Sequence, residues 1–120
     1  MVKKNLVLGA SLNTQKYSNK AVKALISKGL DVVALGHKFG LIDKIKVTET
    51  KKIHNNIHTV TIYLNKKFQV QFYNYVLELK PKRVIFNPGT ENLEFYKILK
   101  KNSINYEDSC TLVLLSTDQF

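Results

Sequence analysis

Short runs of consecutive apolar residues alternate along this chain with stretches in which apolar positions recur every three or four residues. Runs of the first kind read as strands covered on both faces, because such strands have no polar side to show. They are Asn5-Leu6-Val7-Leu8-Gly9, Asp31-Val32-Val33-Ala34-Leu35-Gly36, the β-branched Thr59-Val60-Thr61-Ile62-Tyr63-Leu64, Arg83-Val84-Ile85-Phe86 and the short Ile104-Asn105-Tyr106. Between the first two, Ala21, Val22, Leu25 and Ile26 recur at helical spacing, with Lys20, Lys23 and Lys28 on other faces. Ser18 suits the N-cap of that helix and Gly29 its C′ position. Phe68, Phe72, Val76 and Leu79 follow at spacings of four, four and three, which predicts a helix from about Lys66 to Lys80. Pro81 ends it, because the residue before a proline is pushed out of the helical region. The Tyr and Phe residues between Phe68 and Tyr75 are assigned to core packing. After the turn at Pro88-Gly89, Thr90 or Glu91 opens a helix with Leu93, Tyr96 and Leu99 inward. The run Cys110-Thr111-Leu112-Val113-Leu114-Leu115 suits a strand or a buried helix, and a terminal helix is expected. The span from His37 to Asn56 carries the least pattern, with Ile45-Lys46-Val47-Thr48 as a short extended piece.

Strands alternating with helices predict an α/β fold. The expected architecture is a Rossmann-like three-layer sandwich with a five-stranded parallel sheet in the order 3-2-1-4-5. No repeat, linker or composition shift divides the chain, so one domain over residues 1–120 is expected. Hydrophobic content of 44% and charged content of 23% place it among globular chains rather than disordered ones. The single cysteine, Cys110, excludes an intramolecular disulfide and a thiolate metal cluster. No apolar stretch approaches the roughly 20 residues needed to cross a bilayer. The start of the chain lacks a signal-peptide pattern, and a reducing, cytoplasmic setting is expected. The net charge of +10 would attract nucleic acid, acidic lipid or an anionic small molecule. Arg83 is the only arginine, however, and arginine is the usual reader of bases and phosphates. Nucleic acid is therefore disfavoured, and most lysines are assigned to solvated faces.

In an open parallel sheet, ligands bind beyond the carboxyl ends of the strands where the strand order reverses. With the expected order, that point lies between the first and fourth strands, flanked by the loops Gly9 to Tyr17 and Asn87 to Glu91. The first loop begins with Gly9 and Ala10, which let the backbone approach a ligand. Ser11, Asn13 and Thr14 offer hydrogen bonds, Lys16 and Lys20 add charge, and Tyr17 and Ser18 lead into a helix whose free amides favour an anion. Backbone amides after Ser11 are expected to be left open for a diphosphate. An ordinary strand-to-helix turn would use the same residues. The second strand ends Gly36-His37-Lys38, where NAD-binding folds carry an acid for the ribose diol. Two potential cations in its place suit a ribose bearing an extra phosphate, although a solvated loop would also read this way. In Asn87-Pro88-Gly89-Thr90-Glu91-Asn92, Glu91 at a helix start repels anions, so this loop suits a neutral polar group or a simple capped turn. His54 and His58 stand four apart without a carboxylate or cysteine to complete a metal site, and no metal is expected. Cys110 is assigned to packing; facing the pocket, it could instead form a mixed disulfide with a thiol cofactor.

These residues resemble a known family. Leu8-Gly9-Ala10-Ser11 with Lys16-Tyr17-Ser18, the end Tyr63-Leu64-Asn65, the stretch Lys80 to Asn92 and the tail Cys110-Thr111-Leu112-Val113 look like the small stand-alone bacterial CoA-binding proteins. Those are similar to the CoA-binding domain of succinyl-CoA synthetase. The resemblance implies a Rossmann-like fold holding coenzyme A. It implies that Gly9, Ala10 and Ser11 meet the pyrophosphate with Lys16 nearby, and that Gly36, His37 and Lys38 lie near adenosine. It also implies that Leu64, Asn65, Asn87, Pro88, Gly89 and Thr90 line the rest of the cleft. Many relatives carry Asn-Pro after the second strand, where this chain has Gly36-His37. The expected function is a non-catalytic module that binds coenzyme A or a related phosphorylated adenine nucleotide, as a carrier, sensor or partner subunit. One rival is an enzyme using NADP or an acyl-CoA, with His37, Tyr63 or Glu91 moving the proton. Another is a lysine-rich adaptor for nucleic acid or protein. A protein partner or self-association is left open.

Overall fold

The computed structural model describes residues 3–120. In chain order the elements are β1 (Lys4–Leu8), α1 (Tyr17–Ser27), β2 (Asp31–Leu35), β3 (Gly40–Ile42), β4 (Ile45–Thr48), β5 (Ile57–Ile62), α2 (Lys66–Gln69), a 3₁₀ turn (Val70–Phe72), α3 (Tyr73–Leu79), β6 (Arg83–Phe86), α4 (Leu93–Lys101), β7 (Asn105–Asp108) and α5 (Thr111–Ser116). All seven strands form one sheet in the order β3-β4-β2-β1-β5-β6-β7. Every pairing is parallel except the β3–β4 hairpin.

The α/β class and the parallel core of the sheet agree with the sequence pattern, while the strand count and order correct it. The run Thr59–Leu64 does not pair outside the second strand. It forms β5 on the opposite side of β1, with Leu6 against Val60 and Leu8 against Ile62. The place beside β2 belongs to β4, where Val47 pairs with Ala34 and Thr48 with Leu35. β3 then closes that edge with three residues. Strands of three and four residues are too short to display a period, which is why this segment carried so little pattern.

Parallel strands covered on both faces send alternate side chains to opposite layers. Leu6 and Leu8 of β1 pack with Val76, Leu79, Phe86, Phe95 and Leu99 under α3 and α4. Val7, between them, packs with Val22, Leu25, Val47 and Leu115 under α1 and α5. The helix ends move from their predicted places. Lys16, rather than Ser18, is the N-cap of α1, and Ser18 is buried within the helix. Asn92, rather than Thr90 or Glu91, caps α4 by accepting from the Phe95 amide. Leu93, expected inward, is 76% exposed, and Phe95 with Leu99 forms the inner face. Gly29 occupies C′ as predicted, its amide bonding Ile26 while that of Leu30 bonds Leu25, the double bond of a Schellman turn. The terminal helix also forms, as α5.

The single helix expected from Lys66 to Lys80 is broken by the 3₁₀ turn at Val70–Phe72. The cause is Gln69, which is fully buried. Its amide nitrogen donates to the Leu64 and Thr90 carbonyls at 2.8 and 2.7 Å, and its oxygen accepts from Asn92 at 2.9 Å. A buried amide must meet such partners. Satisfying Gln69 turns residues 69, 73 and 76 inward and rotates Phe68 and Phe72 toward the cleft.

Candidate functional site

The strand order moves the reversal point. β1 pairs with β2 on one side and β5 on the other, so the crevice lies between the loops after β1 and after β5. The Asn87–Glu91 loop, expected at that point, sits one strand further out. Two cavities open at this carboxyl edge, on either side of Leu64. The first, about 470 Å³, is lined by Gly9, Leu35, Gly36, His37, Glu49, Lys51, Leu64, Phe68, Gln71 and Phe72. The second, about 310 Å³, is lined by Lys16, Tyr17, Ser18, Tyr63, Asn65, Pro88, Gly89 and Thr90.

Gly9 and Leu64 meet on the wall of the first cavity. Gly9 has a positive φ of +94°, and a Cβ there would stand 2.9 Å from the Leu64 side chain. A larger residue would therefore both strain the backbone and press on Leu64. Gly36 permits a closer approach: a Cβ on it would lie 2.2 Å from the Ala10 carbonyl oxygen. The end of β2 is thus pressed against the β1 loop, and the Gly9 and Ala10 amides both donate to the Leu35 carbonyl, at 2.8 and 2.9 Å.

The β1–α1 loop consumes most of its own polar groups. Ser11 Oγ accepts from the Asn13 amide, Asn13 Oδ1 from the Gln15 amide, and the Asn13 carbonyl from the Lys16 amide. Buried Asn19 donates to the Ser11 carbonyl at 3.0 Å, while its Oδ1 has no partner. Open amides follow Ser11 as expected, at Leu12 and Thr14, and they continue into the helix start. Among the described residues nothing accepts from the amides of Tyr17, Ser18 and Asn19, no side chain caps α1 and no acid stands in its first turn. Three unpaired amides at a helix start and the dipole behind them favour an anion.

Of the residues expected at the site, Gly9, Gly36, His37 and Leu64 line the first cavity. Lys16, Tyr17, Ser18, Asn65, Pro88, Gly89 and Thr90 line the second. Ala10, Ser11, Asn13, Lys38 and Asn87 line neither. Asn87 is a bracket: its amide nitrogen donates to Thr61 Oγ1 and the Ile62 carbonyl, and its oxygen accepts from the Thr111 amide at 2.8 Å. Its carbonyl accepts from both the amide and hydroxyl of Thr90. Glu91 accepts from the Gly89 amide at 3.0 Å, closing the same turn.

Sequence reasoning missed Glu49, Lys51, Phe68, Gln71 and Phe72 in the first cavity. The carboxylate absent after β2 is supplied by Glu49, directly after the neighbouring β4. Tyr63, expected near the cleft only as a proton-transfer group of the enzymatic rival, is a wall of the second cavity. Its hydroxyl is buried beside Cys110, Thr61 and Thr111 without a hydrogen bond, the two threonine hydroxyls being bonded to each other at 2.6 Å. Burial pushes the phenol up to about 12, with the Cys110 thiol adding and the nearby threonines opposing. Cys110 is half-buried behind Tyr63 and lines neither cavity.

A mostly parallel sheet with helices on both faces and a cleft at its carboxyl edge define an α/β domain of the Rossmann type. The chain belongs to the CoA-binding domain family, whose sequence model matches residues 3–116. In structure it is similar to an uncharacterized protein at 42% identity and a TM-score of 0.95, covering 100% of this chain and 99% of that one. A conserved hypothetical protein from Pyrococcus furiosus is 28% identical, with a TM-score of 0.81 over 94% of this chain and 98% of that one. A Thermus thermophilus protein at 20% identity shares the fold, with a TM-score of 0.82 over 99% and 91% of the two chains. Comparison with curated proteins returns no match. Among the described residues no helix is long and apolar enough to cross a membrane.

Proposed function

We propose that this chain binds coenzyme A in the carboxyl-edge cleft and acts as a non-catalytic carrier, sensor or partner module. The observation that carries the reading is the uncapped start of α1, opening into the second cavity in a chain of this family. Adenosine occupies the first cavity, against Leu35, Leu64, Phe68 and Phe72. The diphosphate passes Gly9 and Leu64 toward the open amides of Tyr17 and Ser18. The pantetheine arm, with its two amides, enters the second cavity between Tyr63 and Pro88-Gly89. A non-catalytic role fits these walls: Tyr63 holds its proton far above neutral pH, and Glu91 is turned onto the Gly89 amide.

Glu49 favours one second reading, because a carboxylate at this cavity could accept from an unmodified ribose diol as in NAD-binding folds. Calorimetric titration with CoA, dephospho-CoA, NAD and NADP separates the two. A ligand bound only by the native state raises the melting temperature by mass action. CoA is expected to bind and to raise it by several degrees. A response to NAD with none to either CoA form would overturn the proposal.

A further inference from the structure

We infer that Lys51 is the residue that reads the phosphate on the ribose of the bound nucleotide. This rests on the CoA reading and adds what would distinguish CoA from its dephosphorylated form. The positions first suspected of this role were His37 and Lys38, and only His37 reaches the first cavity. Lys51 is the one ammonium among the described residues lining it.

The backbone around Lys51 is held. Residues 49–56 leave β4 at the carboxyl edge and run past α3 to the start of β5. Tyr75 of α3 donates its hydroxyl proton to the Lys52 carbonyl at 2.7 Å, fastening the segment next to Lys51. Lys51 Nζ donates to the Gln71 carbonyl at 3.0 Å and lies 4.8 Å from the centre of the Phe72 ring. An ammonium has three N–H donors. Gln71 takes one, so a phosphate can accept from the others without displacing the side chain. Phe72, against which the ammonium rests, also walls the adenosine cavity, so the charge is positioned at the edge of the proposed base site.

Glu49, two residues earlier on the same wall, has the opposite preference. Its carboxylate repels a phosphate and accepts from a free hydroxyl. The pair thus divides the ribose, with the phosphate drawn to the Lys51 side and the unmodified hydroxyl facing Glu49.

The test is calorimetric titration of CoA and dephospho-CoA into the wild-type chain and into Lys51→Ala, Lys51→Arg and Lys38→Ala. Losing a charge-assisted bond should cost about tenfold to a hundredfold in affinity. The wild type should prefer CoA by that ratio. Lys51→Ala should erase the preference while binding dephospho-CoA as before, and Lys51→Arg and Lys38→Ala should retain it. A parallel loss of both ligands in Lys51→Ala would mark a merely structural lysine and overturn the inference. Loss of the preference in Lys38→Ala, or no preference in the wild type, would do the same while leaving CoA binding standing. Failure of the wild type to bind either ligand would remove the CoA reading itself, and this inference with it.

Discussion

Replacing Gly36 with alanine tests whether the cleft is set by backbone packed against backbone. The new Cβ would stand 2.2 Å from the Ala10 carbonyl oxygen and 2.9 Å from Val47 Cγ1. Real Cβ contacts do not fall below 3.0 Å, so the Ala10 carbonyl and the end of β2 must part by at least the 0.8 Å between 2.2 and 3.0. Neither side is free to move. The Gly9 and Ala10 amides hold the Leu35 carbonyl at 2.8 and 2.9 Å, and the Gly36 amide holds the Thr48 carbonyl at 2.9 Å. Stretched by such a step, these bonds pass the distance at which a hydrogen bond still counts. Two or three bonds at about 1 kcal/mol each, with overpacking of about 1–3 kcal/mol, give a loss of about 3–6 kcal/mol. That is a large share of the roughly 5–15 kcal/mol that holds a typical domain.

Urea unfolding followed by far-ultraviolet circular dichroism reads this directly. The midpoint should fall with the slope unchanged, since the surface exposed on unfolding is the same. Melting should drop by roughly 10–20 °C for a chain of this size. CoA affinity should fall in the same variant, because Gly36 and Gly9 both line the first cavity. A stability loss below about 1 kcal/mol with unchanged binding would show that the β1 loop yields freely, and the argument from pinned backbone would be wrong.

Asn87→Ala strips the Thr111 amide of its partner and the Ile62 carbonyl of its donated side-chain bond. It should cost about 2–4 kcal/mol in urea unfolding; a near-neutral result would mean that water replaces the bracket. Phe68→Ala removes a half-exposed ring from the cavity wall. Stability should stay within about 1 kcal/mol while CoA affinity falls about tenfold by calorimetry, and equal binding would exclude this wall as the base site. His54 and His58 are both pushed below the usual 6.5, by burial first and then by neighbouring cations, Lys4 and Lys52 for His54 and Lys3, Arg83 and Lys82 for His58. The unfolded chain then binds more protons between those lowered values and 6.5, so stability should rise with pH across that window and level off above it. Changing both to Asn should flatten the urea midpoint between about pH 5 and 7, and an unaltered slope would assign it to other groups.

The long parallel strands were legible because their apolar runs are continuous, as burial on both faces requires. Two things hid the rest. β3 and β4 are too short to show a period, and misplacing them put β5 on the wrong side of β1 and the crevice beside the wrong loop. Gln69 hid the other part: a polar residue beside the stripe Phe68, Phe72, Val76 and Leu79. Its need for three buried partners outweighed the apolar spacing, and the aromatic rings turned outward to wall the first cavity. The glycines were found because they stand at strand ends, where a close approach is expected, but their amides serve the neighbouring strand rather than standing open.

The most distinctive stretch of the sequence, Asn87 to Asn92, proves to be chiefly a fastening. Asn87, Thr90 and Asn92 are buried: Asn87 spends its side chain on β5 and α5, Thr90 on the Asn87 carbonyl, and Asn92 on Gln69, Tyr73 and the Phe95 amide. Only Pro88, Gly89 and the edge of Thr90 face the second cavity. Such a stretch serves the fold, and it says that a cleft will exist more than what enters it. On the proposed reading, the groups that differ chemically from one nucleotide to another would be met elsewhere, by Glu49, Lys51, Phe68 and Phe72 of the first cavity, on segments without any recognisable spacing. Specificity here is therefore separable from stability. Exchanging Glu49 and Lys51 for neutral residues should change which nucleotide is held while leaving the urea midpoint within about 1 kcal/mol of the wild type. A collapse of the fold on that exchange would mean that the segment after β4 supports the sheet as well as facing the ligand.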